Sequence, residues 1–127
     1  MPHQLYVHLV WVTLERRPMV TTGVASFLRR FLPAEAARHG CEVMALGVVP
    51  DHMHLLLRIP PRVDLPRIVQ GLKGASARLG NRESTVGLRW EKGYQVKTVS
   101  PSGLPRVIDY VRHQAQRHGG IVAPEGG

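Results

Sequence analysis

Between Glu42 and Ile59 the chain reads as two strands, Glu42 to Val49 and His54 to Ile59, with little but Pro50-Asp51 between them. A connection that short reverses the chain, so the two runs are expected to pair as an antiparallel hairpin. Whatever this chain folds into must contain that hairpin. The same stretch, Val49-Pro50-Asp51-His52-Met53-His54-Leu55-Leu56-Leu57, carries two histidines around one apolar residue. Residues i and i+2 of a strand point to one face. His52 and His54 therefore project side by side, their Cα atoms about 6.5–7 Å apart, with Met53 turned into the opposite layer. Two imidazoles at that separation can converge on one metal ion. The motif also fits two hydrogen-bonded or solvated histidines on a half-exposed strand, and two ligands are too few for a metal site.

Around the hairpin the chain alternates its periodicity. Leu5 to Leu14 is β-branched and aromatic and reads as a first strand, central and covered on at least one face. His8 is its polar exception: a core or near-core histidine, or one placed near the site. Val24 to His39 reads as a helix, with Val24, Phe27, Leu28 and Phe31 on one face and Gly40 at its end. Pro33 either kinks that helix or starts a new turn. Pro60-Pro61 stops the third strand. Asp64 as N-cap and Pro66 in the first turn open a helix that runs to about Leu79. Gly80 to Gly93 reads as a loop, Tyr94 to Ser100 as a fourth strand, and Leu104 to His118 as a last helix before a short frayed tail. The order is β-α-β-β-α-β plus one helix. That is the split βαβ, ferredoxin-like α+β pattern, with an antiparallel sheet and the first and third strands adjacent at its centre. One domain over residues 1–127 accommodates it. The fold by itself hosts many activities.

Composition narrows the partners. A net charge of +8 and a pI near 10.8 point to a polyanion, most often nucleic acid. No stretch reads as a basic amphipathic helix, and no apolar run approaches the ~20 residues of a membrane span, so a membrane partner is not expected. The start of the chain does not read as a signal peptide. Cys41 is the single cysteine, which excludes an internal disulfide and a cysteine zinc site and makes a reducing, cytoplasmic setting the default. In the last helix Tyr110 and Gln114 fall at i and i+4, on one face, with Val107, Ile108 and Val111 as a docking side. Tyr110 alone would also suit a core or interface aromatic.

Taken together, these blocks resemble a known family. His8-Leu9-Val10-Trp11-Val12-Thr13 with Arg16-Arg17-Pro18, then Val49 to Leu56, then Leu72-Lys73-Gly74 with Ser76 and Arg78, then Trp90 with Gly93-Tyr94, and finally Tyr110-Val111-Arg112-His113-Gln114 occur in the order seen in the single-tyrosine HUH transposases of small bacterial insertion sequences, the insertion-sequence-200-like family. HUH denotes His-hydrophobic-His. The resemblance implies that Tyr110 is a nucleophile and that His52, His54 and the amide oxygen of Gln114 are metal ligands. It implies cutting and rejoining of single-stranded DNA beside hairpins, through a 5′-phosphotyrosine and a free 3′-hydroxyl. It further implies Mg²⁺ or Mn²⁺ and no other cofactor. Imidazoles by themselves favour zinc or a late transition metal, and Mn²⁺ reconciles the two. A homodimer joined sheet to sheet is implied, with the tyrosine helix serving its own subunit or its partner, in a bacterial or archaeal cytoplasm and at the nucleoid when acting. Arg16, Arg17, Lys73, Arg78, Lys92 and Arg112, with Arg89 and Lys97, are candidate phosphate contacts. Trp90 and Tyr94 either stack on unpaired bases or pack. Two other readings stand beside this one: a hairpin-binding descendant without cleavage activity, and a phosphoesterase for a small substrate. The second would call for His-x-Thr or His-x-Ser on two strands, and this chain carries one His-x-His.

Overall fold

In the computed structural model, which describes residues 4–83 and 87–114, the chain runs β1 (Leu5–Val12), α1 (Thr22–Arg38), β2 (Glu42–Val49), β3 (His52–Ile59), α2 (Leu65–Glu83), β4 (Gln95–Val99) and α3 (Leu104–Arg112). Among the described residues the strands make one four-stranded sheet in the order β2-β3-β1-β4, and every neighbouring pair is antiparallel. This is the split βαβ order, with β1 and β3 adjacent at the centre. The β1–β3 register sets Val12 opposite His52, Val10 opposite His54 and His8 opposite Leu56.

Strand alternation sorts this sheet into two faces. One face presents Val7, Leu9, Trp11, Met53, Leu55 and Leu57 to the two long helices, whose Val24, Leu28, Leu32 and Leu72 are fully or almost fully buried against it. The other face presents Ala45 and Leu56 to α3, which docks through Val111 with Leu104, Val107 and Ile108 around it. Because β3 has helices on both sides, its residues are buried almost throughout, and its sequence is apolar rather than alternating. Helix α3 lies over β2 and β3. The β1–β4 half of that face is left to form the wall of a cleft.

Three boundaries differ from the sequence expectation. β3 begins at His52 rather than His54, so both histidines belong to the paired strand, at its start. β1 ends at Val12, and Leu14–Arg16 forms a 3-10 turn. Helix α2 continues past Leu79 to Glu83, so the first part of the expected Gly80–Gly93 loop is helical. The reason is tertiary: Gly80 is buried, and a Cβ there would come within 3.0 Å of Leu88, so the glycine permits close packing instead of a turn. Helix α1 passes through Pro33 as one helix. Both Pro33 and Arg29, the residue whose carbonyl the missing N–H would have met, are exposed, so water can solvate that carbonyl. The helix opens on Thr21, whose hydroxyl accepts from the Val24 N–H, and closes at His39 before Gly40 at φ +77°. The expected extension of the last helix to His118, and the tail, lie outside the described residues.

Lys73 holds the approach to β4. Its ammonium donates to the carbonyls of Glu91 and Gly93, each at 2.7 Å. Burial pushes the Lys73 pKa down, against the attraction of Glu91. Charge-assisted bonds of this kind contribute about 1.5–3 kcal/mol each. Lys73→Met is expected to cost about 2 kcal/mol in urea unfolding and to leave the salt dependence of DNA binding unchanged. A loss of salt dependence without a loss of stability would make Lys73 a phosphate contact instead.

Candidate active site

The cleft over the β1–β4 half of the sheet has a volume of about 410 Å³ and is lined by His8, Val10, Val12, Arg16, His52, His54, Lys92, Gly93, Tyr94, Gln95, Lys97 and Tyr110. Each comes from the inward logic of its own element. His8, Val10 and Val12 are alternate residues of β1; His52 and His54 are alternate residues of β3; Tyr110 comes from the helix packed beside them. The His52 and His54 rings lie 5.1 Å apart, centroid to centroid, at 66°. Both residues are 5% exposed, which is unusual for a strand face that opens on a cleft. Tyr110 stands edge-on to His54 at 5.9 Å and edge-on to His8 at 5.9 Å. It is 38% exposed, so its ring bridges the histidines and the open mouth.

Gln114 follows the helix-capping residue His113 and is fully buried. Its Nε2 donates to the Tyr110 carbonyl at 2.8 Å. Gly47 fixes where it sits. In the β2–β3 register Gly47 is the partner of His54. A Cβ built on Gly47 would lie 3.3 Å from the Gln114 Cβ and would overlap the carbonyl oxygen of Val111. The Gln114 side chain therefore starts beside His54, because directly opposed residues have Cβ atoms only about 4.5–5.5 Å apart. His52 and His54 line the cleft, and Gln114, which does not line it, starts beside them; two imidazoles with an amide oxygen would suit an N/O-tolerant divalent cation. Among the described residues no three His, Cys, Asp or Glu side chains gather into a metal site.

Two neighbours complete the floor of the site: Asp51, which the sequence reading did not assign to it, and His8, for which that reading left a place near the site open. Asp51 Oδ1 meets His52 Nδ1 at 2.7 Å. His8 Nε2 meets His54 Nδ1 at 2.9 Å, with the rings stacked at 25°. Burial raises the Asp51 pKa, but hydrogen bonding and charge from His52 and Arg16 outweigh it and hold the carboxyl below its ordinary value. Burial, helped by Lys97, pushes His8 down and favours its neutral form. Asp51 could have been suspected from its place beside His52. For His8 the β1–β3 register decides between the core and the site.

The basic candidates separate. Arg16, Lys92 and Lys97 line the cleft. Arg16 also pairs with Asp51 at 3.5 Å, and it does so from a left-handed backbone, φ 53°, next to Glu15 at φ 55°. Two successive non-glycine residues in that region store strain, which is typical of a functional rim. Arg17 pairs with Glu15 at 2.8 Å outside the cleft lining. Lys73 is taken by backbone carbonyls. Arg78, Arg89 and Arg112 are exposed but do not line the cleft. Tyr94 lines the cleft while packing against the core. Trp90 packs edge-on against Trp11 at 5.9 Å, and its indole N–H donates to Ser76 at 3.0 Å.

Comparison with known proteins puts this chain and its fold in the class of transposases. The family model described as "Transposase IS200 like" matches residues 2–114. The ISDra2 transposase TnpA of Deinococcus radiodurans is 34% identical over 119 residues, covering 88% of this chain and 85% of that protein. The transposase for insertion sequence element IS200 of Salmonella typhimurium is 29% identical over 106 residues, covering 74% of this chain and 63% of that protein. A crystal structure from Deinococcus radiodurans R1, assigned as a transposase, superposes with a TM-score of 0.73 at 34% identity, covering 90% of this chain and 93% of that one. A REP-associated tyrosine transposase bound to a REP hairpin shares the fold, with a TM-score of 0.71 at 16% identity, covering 95% of this chain and 72% of that one. The chain belongs to the IS200-like transposase family.

Proposed function

We propose that this transposase cuts and rejoins single-stranded DNA with Tyr110 as nucleophile and with His52, His54 and Gln114 as the ligands of a divalent cation, Mg²⁺ or Mn²⁺. The observation that carries the reading is the meeting of Tyr110 with the histidine pair in one cleft of one chain, 5.9 Å from His54. A cation held there would neutralise charge on the scissile phosphate and polarise it toward attack. The chain's own residues do the rest. The Tyr110 oxygen attacks phosphorus, forming a 5′-phosphotyrosine and releasing the 3′-oxygen as a hydroxyl. The ester stores the energy of the broken bond, so a 3′-hydroxyl can later displace Tyr110 without ATP. Gln114 ties its amide N–H to the Tyr110 carbonyl, so the tyrosine backbone and the third ligand move as one. The DNA partner is a strand bearing hairpins, a reading supported by the hairpin bound to the fold relative. The placement of Tyr110 beside His54 of the same chain favours action in cis at this stage, within a homodimer whose partner closes an open sheet edge.

Lys92 and Lys97 at the cleft are the cations best placed to meet the strand. Lys92→Ala is expected to weaken binding of a single-stranded hairpin oligonucleotide and to reduce the slope of log K against log salt by about 0.7–1. Titrations at several salt concentrations measure it, and an unchanged slope would take Lys92 off the phosphate path. The function itself is tested by incubating protein with an oligonucleotide carrying the element end and looking for a covalent adduct on a denaturing gel. The adduct should appear with Mg²⁺ or Mn²⁺ and vanish with EDTA. Hairpin binding with no adduct under either metal would instead make the chain a binding protein that has lost cleavage.

A further inference from the structure

Each histidine of the pair is gripped from behind through the same ring nitrogen. Asp51 meets Nδ1 of His52 at 2.7 Å, and His8 meets Nδ1 of His54 at 2.9 Å. A carboxylate can only accept, so the Asp51 bond puts the His52 proton on Nδ1 and makes Nε2 its lone-pair nitrogen. The His8 bond could run either way. Only one direction suits a ligand pair: His54 donates from Nδ1, and His8 accepts at Nε2 while carrying its own proton on Nδ1. We propose that His8 and Asp51 are matched positioning residues that set both histidines in the Nδ1–H tautomer and present both Nε2 atoms to the cation; this rests on the metal reading above.

The two supports differ in kind. Asp51 belongs to the tight turn before β3 and is steadied by Arg16 at 3.5 Å. His8 reaches His54 from the neighbouring strand, two residues along from the direct partner Val10 and on the same face, and its ring stacks on His54 with centroids 5.2 Å apart. The stacking fixes ring orientation as well as the proton. An acceptor on a packed central strand has little freedom to withdraw, so His54 is held even before any ligand arrives. Outer partners of metal-bound histidine typically alter metal affinity by 10–100-fold when removed.

The test reads the rings in metal-free protein by long-range ¹H–¹⁵N NMR and metal affinity by electron paramagnetic resonance of free Mn²⁺. In the wild type, His52 and His54 should both carry the proton on Nδ1. His8→Leu should move His54 toward the Nε2–H form, leave His52 unchanged and weaken Mn²⁺ binding by roughly 10–100-fold. His8→Gln keeps an acceptor oxygen and should restore both the His54 tautomer and most of the affinity, which guards against a His8→Leu protein that folds poorly. A wild-type His54 protonated on Nε2, or a folded His8→Leu protein with unchanged His54 signals and Mn²⁺ affinity, overturns the inference. A wild type that binds no Mn²⁺ would strike the metal reading, while the tautomers still decide the roles of His8 and Asp51 in setting the rings.

Discussion

Tyr110→Phe is expected to abolish the covalent DNA adduct while leaving hairpin binding within about twofold. The substitution removes one oxygen from a ring that is partly exposed and stands edge-on to His54 and His8. The ring itself stays, so packing of α3 should be preserved and stability should change by less than about 1 kcal/mol. The chemistry has no substitute. Removing a nucleophile from a working constellation costs catalysis on the order of 10⁴-fold or more, and here the measured product is the bond that oxygen would form. A denaturing gel with a labelled oligonucleotide reads the adduct, and a mobility shift on the same protein reads binding. Adduct formation by the phenylalanine variant would remove Tyr110 from the mechanism. Loss of binding together with the adduct would mean that the hydroxyl serves DNA recognition instead.

Gly47→Ala should disable the same reaction without touching a reacting group. Gly47 lies in β2 opposite His54, and the backbone of α3 rests directly on it, so an added Cβ would overlap the Val111 carbonyl oxygen. A backbone obstacle cannot rotate away, and the helix must lift. Overpacking of this kind costs about 1–3 kcal/mol. Tyr110 and Gln114 ride on that helix segment, so both leave the histidine pair together. Displacement of a reacting group by about 1 Å is enough for a loss on the order of 10²-fold. The expected result is a folded but less stable protein that forms adduct at least 100-fold more slowly. Thermal unfolding and a time course of adduct formation measure the two effects. Gly74→Ala is the contrast: nothing lies within 4 Å of a Cβ there, and an interior helical alanine should raise stability by about 0.5–1 kcal/mol. A Gly47→Ala protein as stable and as fast as the wild type would show that α3 need not rest on β2.

Much of the architecture was legible because its signals are local. Pro50-Asp51 leaves no room for anything but a hairpin, and the observed strands end and begin on either side of those two residues. Strand periodicity placed His52 and His54 on one face, and helical spacing placed Tyr110 and Gln114 together; both held because each depends on geometry within one element. The misread stretch at Gly80 failed for the complementary reason. A glycine that signals a turn in sequence also permits close contact in a core, and Leu88 decides between them from outside the helix. Lys73 and Trp90 show the same limit. The Lys73 ammonium looked available for DNA, yet the carbonyls of Glu91 and Gly93 hold it; for Trp90, where stacking on bases and packing were both open, Ser76 and Trp11 decide for packing.

For the site, the sequence alone determined which residue types were present, their order and the face each would occupy on its own strand or helix. Tertiary structure decided which faces meet. The register of β1 on β3 brought His8 to His54, although 46 positions separate them. A missing side chain at Gly47 let α3 descend far enough to set Tyr110 and Gln114 beside the histidines. Neither is written in any local pattern, because a cross-strand register and a helix height are set by packing among distant segments. The His52/His54 pair could be read from the chain; what surrounds it had to be folded to be seen.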